Sequence, residues 1–183
     1  MDESLRLRQS RLTEDIVSAA FLELLKEKPI EKITVADICR TAGVNRGTFY
    51  YHYRDIEDLK EHINKWYANA ITPMILEGFR APKSEAASLK TLKGIMEVLA
   101  SWPEYSIIML WDGKGQAAIQ AAREMLETEY LKWVQQYMPG TDQRAAEYRF
   151  TSFFYAGWGI LSKWTRDGCK ESPEYIREFI KNI

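Results

Sequence analysis

A chain of 183 residues with 46% hydrophobic content can bury a core of its own, either as one unit or as a small module joined to a larger one. Its formal charge of -1, from 25 basic and 26 acidic residues, excludes a protein that coats nucleic acid through overall positive charge, so any such contact must rest on local charge. No apolar run reaches the length of a membrane span and no basic-then-apolar leader opens the sequence, while Cys39 and Cys169 stand apart without a CxxC; the expectation is a cytoplasmic protein with reduced, packed cysteines and no membrane partner.

Between Thr13 and Lys28 the apolar residues Ile16, Val17, Ala20, Phe21, Leu24 and Leu25 recur at three- and four-residue spacing, predicting an amphipathic helix that ends near Pro29. Arg6, Arg8 and Arg11 precede it without an intervening acid and read either as a flexible basic arm beside DNA or as an ordinary solvated terminus. Thr34, with Asp37 three residues on, has the form of a capping box for a second helix through Val35, Ile38 and Cys39 to Ala42. Gly43 falls where a chain leaving a helix often needs positive φ, and Asn45 caps a short third helix through Tyr51. Asp55 starts a fourth, along Ile56, Leu59, Ile63, Trp66, Ala70 and Ile71, which Pro73 kinks or ends.

Beyond Pro82 no strand-like alternation occurs. Helices are predicted over Ser84 to Ser101, Tyr105 to Leu110, Gln116 to Tyr137, Gln143 to Asp167 and Pro173 to Asn182, with breaks at Trp102-Pro103, Asp112-Gly113, Pro139-Gly140, Gly168 and Ser172-Pro173. The fold class is therefore all-α, with about nine helices: a three-helix N-terminal domain over 1–55 and a larger helical domain over 56–183, joined by the helix at 56–79.

The stretch TVADICRTAGVNRGTFYYHY, Thr34 to Tyr53, carries the parts of a helix-turn-helix, in which one helix braces the phosphate backbone and the next lies in the major groove. Val35, Ile38, Val44 and Phe49 would hold the two helices together, leaving Asn45, Arg46, Thr48, Tyr50, Tyr51 and His52 to face outward. No acid lies between Ile38 and Arg54, whereas Arg40, Arg46 and Arg54 supply positive charge. An arginine such as Arg46 can pair bidentately with guanine O6 and N7, and Thr34, Thr48 and tyrosine hydroxyls suit phosphate oxygens. Gly47 would admit the DNA backbone closely.

Taken with the amphipathic first helix, ITVADICRTAGVNRGTFYYHYRDIEDL resembles the TetR family of bacterial regulators over the first third of the chain: the capping threonine, the AGV turn, the G-T-F/Y-Y-x-H/Y core and the following acidic cap occur together in order. The resemblance implies a homodimer on double-stranded DNA, with Thr34, Arg46, Thr48, Tyr50, Tyr51 and His52 as DNA contacts and Gly43 as the turn glycine. Many relatives have phenylalanine and then a lysine-serine pair after the histidine; here stand Tyr53, Arg54 and Asp55, and Arg54 can still reach a phosphate. The C-terminal YAGWGILSKWTRDGCKESPEYI is similar to the C-terminal region of a TetR subgroup with poorly defined effectors.

In the Gln143 to Asp167 helix, Phe150, Phe153, Phe154, Gly157, Trp158, Leu161 and Trp164 form one apolar face. It is longer than one side of a small domain usually hides, which predicts a two-fold helical interface between copies. Two recognition helices related by such symmetry demand a palindromic operator. Trp66, Trp102, Tyr105, Met109 and Trp133, with Trp111 and Met125, suit a pocket for a small apolar or aromatic effector, and would fill a core equally well.

No catalytic constellation is present. His52 and His62 lack ligand-spaced partners, so neither a metal site nor a cofactor is expected, and DGKG at Asp112 to Gly115 reads as a turn, lacking the spacing and preceding strand of a phosphate loop. The reading is a sequence-specific transcriptional regulator, a ligand-responsive repressor in its usual form. The alternative is a protein of the same fold acting as a co-activator through a protein partner.

Overall fold

The computed structural model describes residues 3–80, 84–111 and 116–181. Among these the chain forms nine α-helices and no strand: α1 (Glu3–Glu27), α2 (Val35–Ala42), α3 (Arg46–His52), α4 (Ile56–Arg80), α5 (Glu85–Ser101), α6 (Pro103–Trp111), α7 (Gln116–Tyr137), α8 (Gln143–Arg166) and α9 (Pro173–Ile180), with a 3-10 turn at Ile30–Lys32. Two compact units result, Met1–Ile63 and Asn64–Ile183, and the division falls inside α4.

In the first unit α1 packs on α2 and α2 on α3. Val17, Phe21, Ile38, Phe49 and Leu59 are wholly buried and Ile63 nearly so, which places the opening turns of α4 in this core. One correction concerns the N-terminus: α1 begins at Glu3, ten residues ahead of the predicted start, so the arginine-bearing segment is a helical extension and not a flexible arm. Leu, Arg and Gln favour helix, and no glycine or proline interrupts SLRLRQSRL. The side chains of Arg8 and Arg11 are exposed.

The second unit is organised around α8, which packs against α5, α6, α7 and α9. Leu92, Met96, Leu99, Met109, Leu126, Val134, Phe150 and Ile176 are among its buried residues. A polar knot sits inside it: the Tyr105 hydroxyl donates to Asn64 Oδ1 at 2.7 Å, the Ser106 hydroxyl donates to the Leu99 carbonyl at 2.8 Å, and the Tyr67 and Tyr105 rings stack with centroids 5.7 Å apart. Burial pushes the Tyr67 phenol up to about 12.

Pro73 lies inside α4 without ending it. Proline removes the bond to the carbonyl four residues back, here that of Asn69; both residues are on the exposed side of the helix, where that carbonyl can be hydrated. The helix predicted from Pro173 ends at Ile180, and Asn182, Pro82 and the DGKG turn lie outside the described residues.

Candidate nucleic-acid interface

The turn between α2 and α3 is built as its residues dictate. The Thr34 hydroxyl accepts from the Asp37 amide at 3.2 Å, while the Asp37 carboxylate accepts from the Thr34 amide at 3.1 Å and the Thr34 hydroxyl at 2.8 Å, completing a capping box. Lys28 and Arg40 also converge on Asp37, at 2.7 and 2.6 Å. The Lys28 ammonium, then the Thr34 bonds, hold this carboxyl well below the usual carboxylate range. Gly43 closes α2 in the left-handed region at φ 67°, where a side chain would be strained.

Asn45 caps α3, its side-chain oxygen accepting from the Thr48 amide at 2.8 Å and the Thr48 hydroxyl at 3.2 Å. A Cβ at Gly47 would approach that cap oxygen to 3.1 Å, so this glycine protects the cap whatever else it does. Asn45 and Thr48 are thus committed to local structure, although Thr48 keeps acceptor capacity.

The seven-residue α3 then divides into two faces. Phe49 is wholly buried and Tyr53, just beyond the helix, is 4% exposed; on the other side Tyr50 is 57% and Tyr51 82% exposed, and Arg46 and Gly47 are exposed with them. Residues 46, 47, 50 and 51 share one side of a 3.6-residue helix. Of the arginines at 40, 46 and 54, only Arg46 lacks an acidic partner among the described residues. Arg40 is held by Asp37, and Arg54 lies along the Asp58 carboxylate, at 3.4 Å from Nε and 3.1 Å from Nη2, which raises the Arg54 pKa further.

His52 does not face outward as predicted. Its side chain is 7% exposed, with Nδ1 3.3 Å from Glu14 Oε1 of α1. Position 52 follows the buried Phe49 by three residues, so the ring returns to the packed side and ties α3 to α1. The neighbouring Tyr53 is likewise core: its hydroxyl is buried beside that of Ser18, without a well-aligned hydrogen bond among the described residues, and burial pushes the phenol up to about 12.

The predicted sites of the second unit are redistributed. Tyr105 and Met109 are buried at 1% and 5%, packed as core, whereas Trp66 is half exposed. Trp102 and Trp133 are half-buried, Met125 is exposed, and the side chain of Trp111 lies outside the description. Trp133 stacks on Tyr130, whose ring also meets Phe79 and Phe150 at 5.5 and 5.6 Å. Tyr130 and Phe79 were not singled out by sequence reasoning, and the apolar stripe along α7 is the signal that would have found Tyr130.

The stripe on α8 is likewise turned inward. Phe150 is 1% exposed and cannot meet another copy of the chain. The Trp158 indole donates to the Leu110 carbonyl at 3.3 Å and that of Trp164 to the Glu171 carbonyl at 3.0 Å, both within the unit. Phe154, Gly157 and Leu161 are half-buried on this side, and Phe153 alone of the stripe is 40% exposed. The outward face of α8 is the opposite one, Tyr148, Ser152, Tyr155 and Gly159, and α9 exposes Tyr175 and Phe179, whose rings meet at 5.2 Å.

A short helix presented on a capped glycine turn, with its polar and aromatic side chains outward and its supports inward, is the geometry of a helix-turn-helix DNA-binding domain. The profile described as bacterial regulatory proteins, tetR family, matches residues 16–63. The chain is 34% identical over 55 residues to the dhaKLM operon transcriptional activator DhaS of Lactococcus lactis, covering 30% of this chain and 29% of that protein. It is 38% identical to the HTH-type regulator YxbF of Bacillus subtilis over 32% of this chain and 17% of the other. The match therefore spans less than a third of the length of these curated relatives.

Solved structures extend the likeness to the whole fold. A TetR-family regulator from Syntrophomonas wolfei superposes with TM-score 0.68 at 20% identity, covering 93% of this chain and 91% of the other. The regulator FadR from Bacillus subtilis, crystallised with stearoyl-CoA, does so with TM-score 0.67 at 16% identity over 91% and 95%. Residues 16–63 thus match the DNA-binding segment of the tetR family, and the chain as a whole shares its fold with solved TetR-family regulators. Among the described residues no helix is long and apolar enough to cross a membrane.

Proposed function

We propose that this protein is a homodimeric, sequence-specific DNA-binding regulator that reads a palindromic operator through α3 and acts as a ligand-responsive repressor. The supporting observation is the outward face of α3. Arg46, Tyr50 and Tyr51 stand exposed on a helix whose every other side is fixed by the Asn45 cap, Phe49 and the His52 contact to Glu14. Immobilising the helix before binding lowers the entropy to be lost on docking. Arg46 is assigned to a guanine edge, and Tyr50, Tyr51, Thr34 and Thr48 to phosphates. Arg54 serves the DNA backbone only by sharing its guanidinium with Asp58, and His52 acts by positioning α3.

The functional division follows the chain: residues 1–55 engage DNA, α4 links, and the remainder dimerises and receives an effector. The outward α8 and α9 aromatics Tyr148, Tyr155, Tyr175 and Phe179 are assigned to the two-fold interface, replacing the inward stripe. Gly159, beside which an added Cβ meets nothing within 4 Å, lets a partner helix approach. Likeness to the Lactococcus lactis activator supports a second reading, activation from the same operator.

Sheared genomic DNA from the source organism, captured on immobilised protein and sequenced, tests the reading. Enrichment of a few fragments by the wild type and its loss in Arg46→Ala and Tyr50→Ala is expected; no enrichment by folded wild-type dimer would overturn it. A promoter reporter carrying an enriched fragment then separates repression from activation.

A further inference from the structure

The inner face of α7 carries a charge where its pattern calls for an apolar residue. Ile119, Arg123, Leu126, Tyr130 and Val134 follow one another at three- and four-residue steps, so Arg123 lies in the same stripe as the buried Leu126 and Val134. Its side chain is 19% exposed, and its one acidic partner among the described residues is Glu127, 3.1 Å from Nη1. The Nε donor is buried without a hydrogen-bond partner among the described residues. Glu127 thus engages one terminal nitrogen and leaves the edge formed by Nε and Nη2, the planar fork that takes a carboxylate through two parallel hydrogen bonds.

What lies on α8 at the level of Arg123 follows from the register of the two helices. The two helices are joined by the short turn at 138–142, pack on each other and run antiparallel. The Tyr130 and Phe150 rings meet at 5.6 Å, which fixes their level. Seven residues toward the α7 N-terminus from Tyr130 is Arg123, and seven toward the α8 C-terminus from Phe150 is Gly157; at about 1.5 Å per residue both steps cover the same distance. Gly157, itself half-buried, lies seven residues from each of Phe150 and Trp164, both buried, and so on the same side of α8. Yet a Cβ built on it meets nothing within 4 Å among the described residues. Open space therefore lies beside α8 at the level of residue 123 on α7, and the aromatic row of Phe79, Tyr130, Phe150, Phe153 and Phe154 comes to within one turn of it.

We propose that the second unit binds an amphipathic carboxylate, an acid on an apolar chain or aryl body, whose carboxylate docks on the Nε and Nη2 edge of Arg123 while its body occupies the space beside Gly157. This rests on the effector-binding role given to that unit, and names the chemistry of the effector. An uncharged apolar ligand would leave the buried Nε donor unpaired, at the desolvation penalty of a buried charge-bearing donor. A ligand carboxylate satisfies that edge in a site of low dielectric.

The test measures binding to the full-length protein without DNA, so that its outcome is independent of whether α3 reads an operator. Dodecanoate and 2-naphthoate are each titrated against their methyl esters, by calorimetry and by quenching of tryptophan fluorescence. At least one acid is expected to bind once per chain, with its ester weaker by about tenfold or more. Arg123→Met should weaken the acid to the level of the ester and leave the ester unchanged. Gly157→Leu should abolish binding of both while holding or raising the melting temperature, since leucine fills open space and favours helix. Failure of both acids to bind wild type, equal binding of acid and ester, retained binding in Gly157→Leu, or a fall in its melting temperature would each overturn the proposal. Should Arg123→Met not fold, the acid and ester comparison on wild type still decides it.

Discussion

Helices α3 and α8 both carry aromatic residues in quantity, and the two dispose of them in opposite ways. On α3, Tyr50 and Tyr51 point to solvent at 57% and 82% exposure while a phenylalanine between cap and terminus anchors the helix. On α8, Phe150 and Trp164 are packed away inside the subunit, and the exposed tyrosines lie on the other side. Hydrophobicity alone would bury both sets. Local backbone chemistry makes the difference: a seven-residue helix fixed by Asn45 and Phe49 has few positions turned inward, whereas a 24-residue helix surrounded by α5, α6, α7 and α9 can bury a whole side.

The largest expected break in this contrast is Phe150→Ala, which removes a fully buried ring and should cost about 3–5 kcal/mol in chemical denaturation. Tyr51→Ala, an equally aromatic deletion, should leave stability within about 0.5 kcal/mol. Loss of as little at 150 as at 51 would show that the α8 stripe is not core. Next in size, Arg46→Ala should weaken specific DNA binding by about 1–3 kcal/mol with an unchanged denaturation midpoint, read by fluorescence anisotropy on an enriched duplex.

A smaller effect belongs to the supports of α3 and α2. Thr34→Ala should destabilise the first unit by about 1 kcal/mol, as loss of an N-cap does. The depressed Asp37 adds a pH signature: its contribution is present above the ordinary carboxylate range and is lost as the pH falls below about 4. Acid titration of Asp37→Asn, followed by circular dichroism, should therefore show a shallower loss of stability in that window than wild type.

Smallest of all is Tyr53→Phe, which deletes a buried hydroxyl with no well-aligned hydrogen bond among the described residues and should shift stability by less than about 1 kcal/mol, in the stabilising direction. It sharpens the contrast at high pH. The folded chain keeps the Tyr53 proton up to about 12, whereas an unfolded tyrosine loses it near its ordinary value of about 10. Wild type therefore loses stability as the pH rises across that interval, and Tyr53→Phe should lose less of it.

Much of the first unit was legible because its signals are positional. A threonine three residues before an aspartate, a glycine after a helix and an asparagine before the next each have one local geometry that satisfies them, and all three occur as read. His52 escaped because a histidine next to exposed tyrosines reads as polar and outward, while its actual partner, Glu14, is 38 residues away. In the second unit helix boundaries followed from prolines, glycines and periodicity, but an apolar stripe states only that something covers it, not whether the cover is α7 or another subunit. Arg123 was passed over as one charge among many on a long helix; its place in the Ile119 to Val134 stripe is the signal that marks it.

The central claim, that α3 reads DNA sequence for a two-fold dimer, is tested most directly by selecting bound duplexes from a random pool with wild type and Arg46→Ala in parallel. A palindrome whose half-sites lie about one helical turn apart is expected from wild type, lost or degenerate with the variant. A folded wild-type dimer that enriches no motif, or a motif that survives unchanged in Arg46→Ala, would contradict it and turn attention to a protein partner.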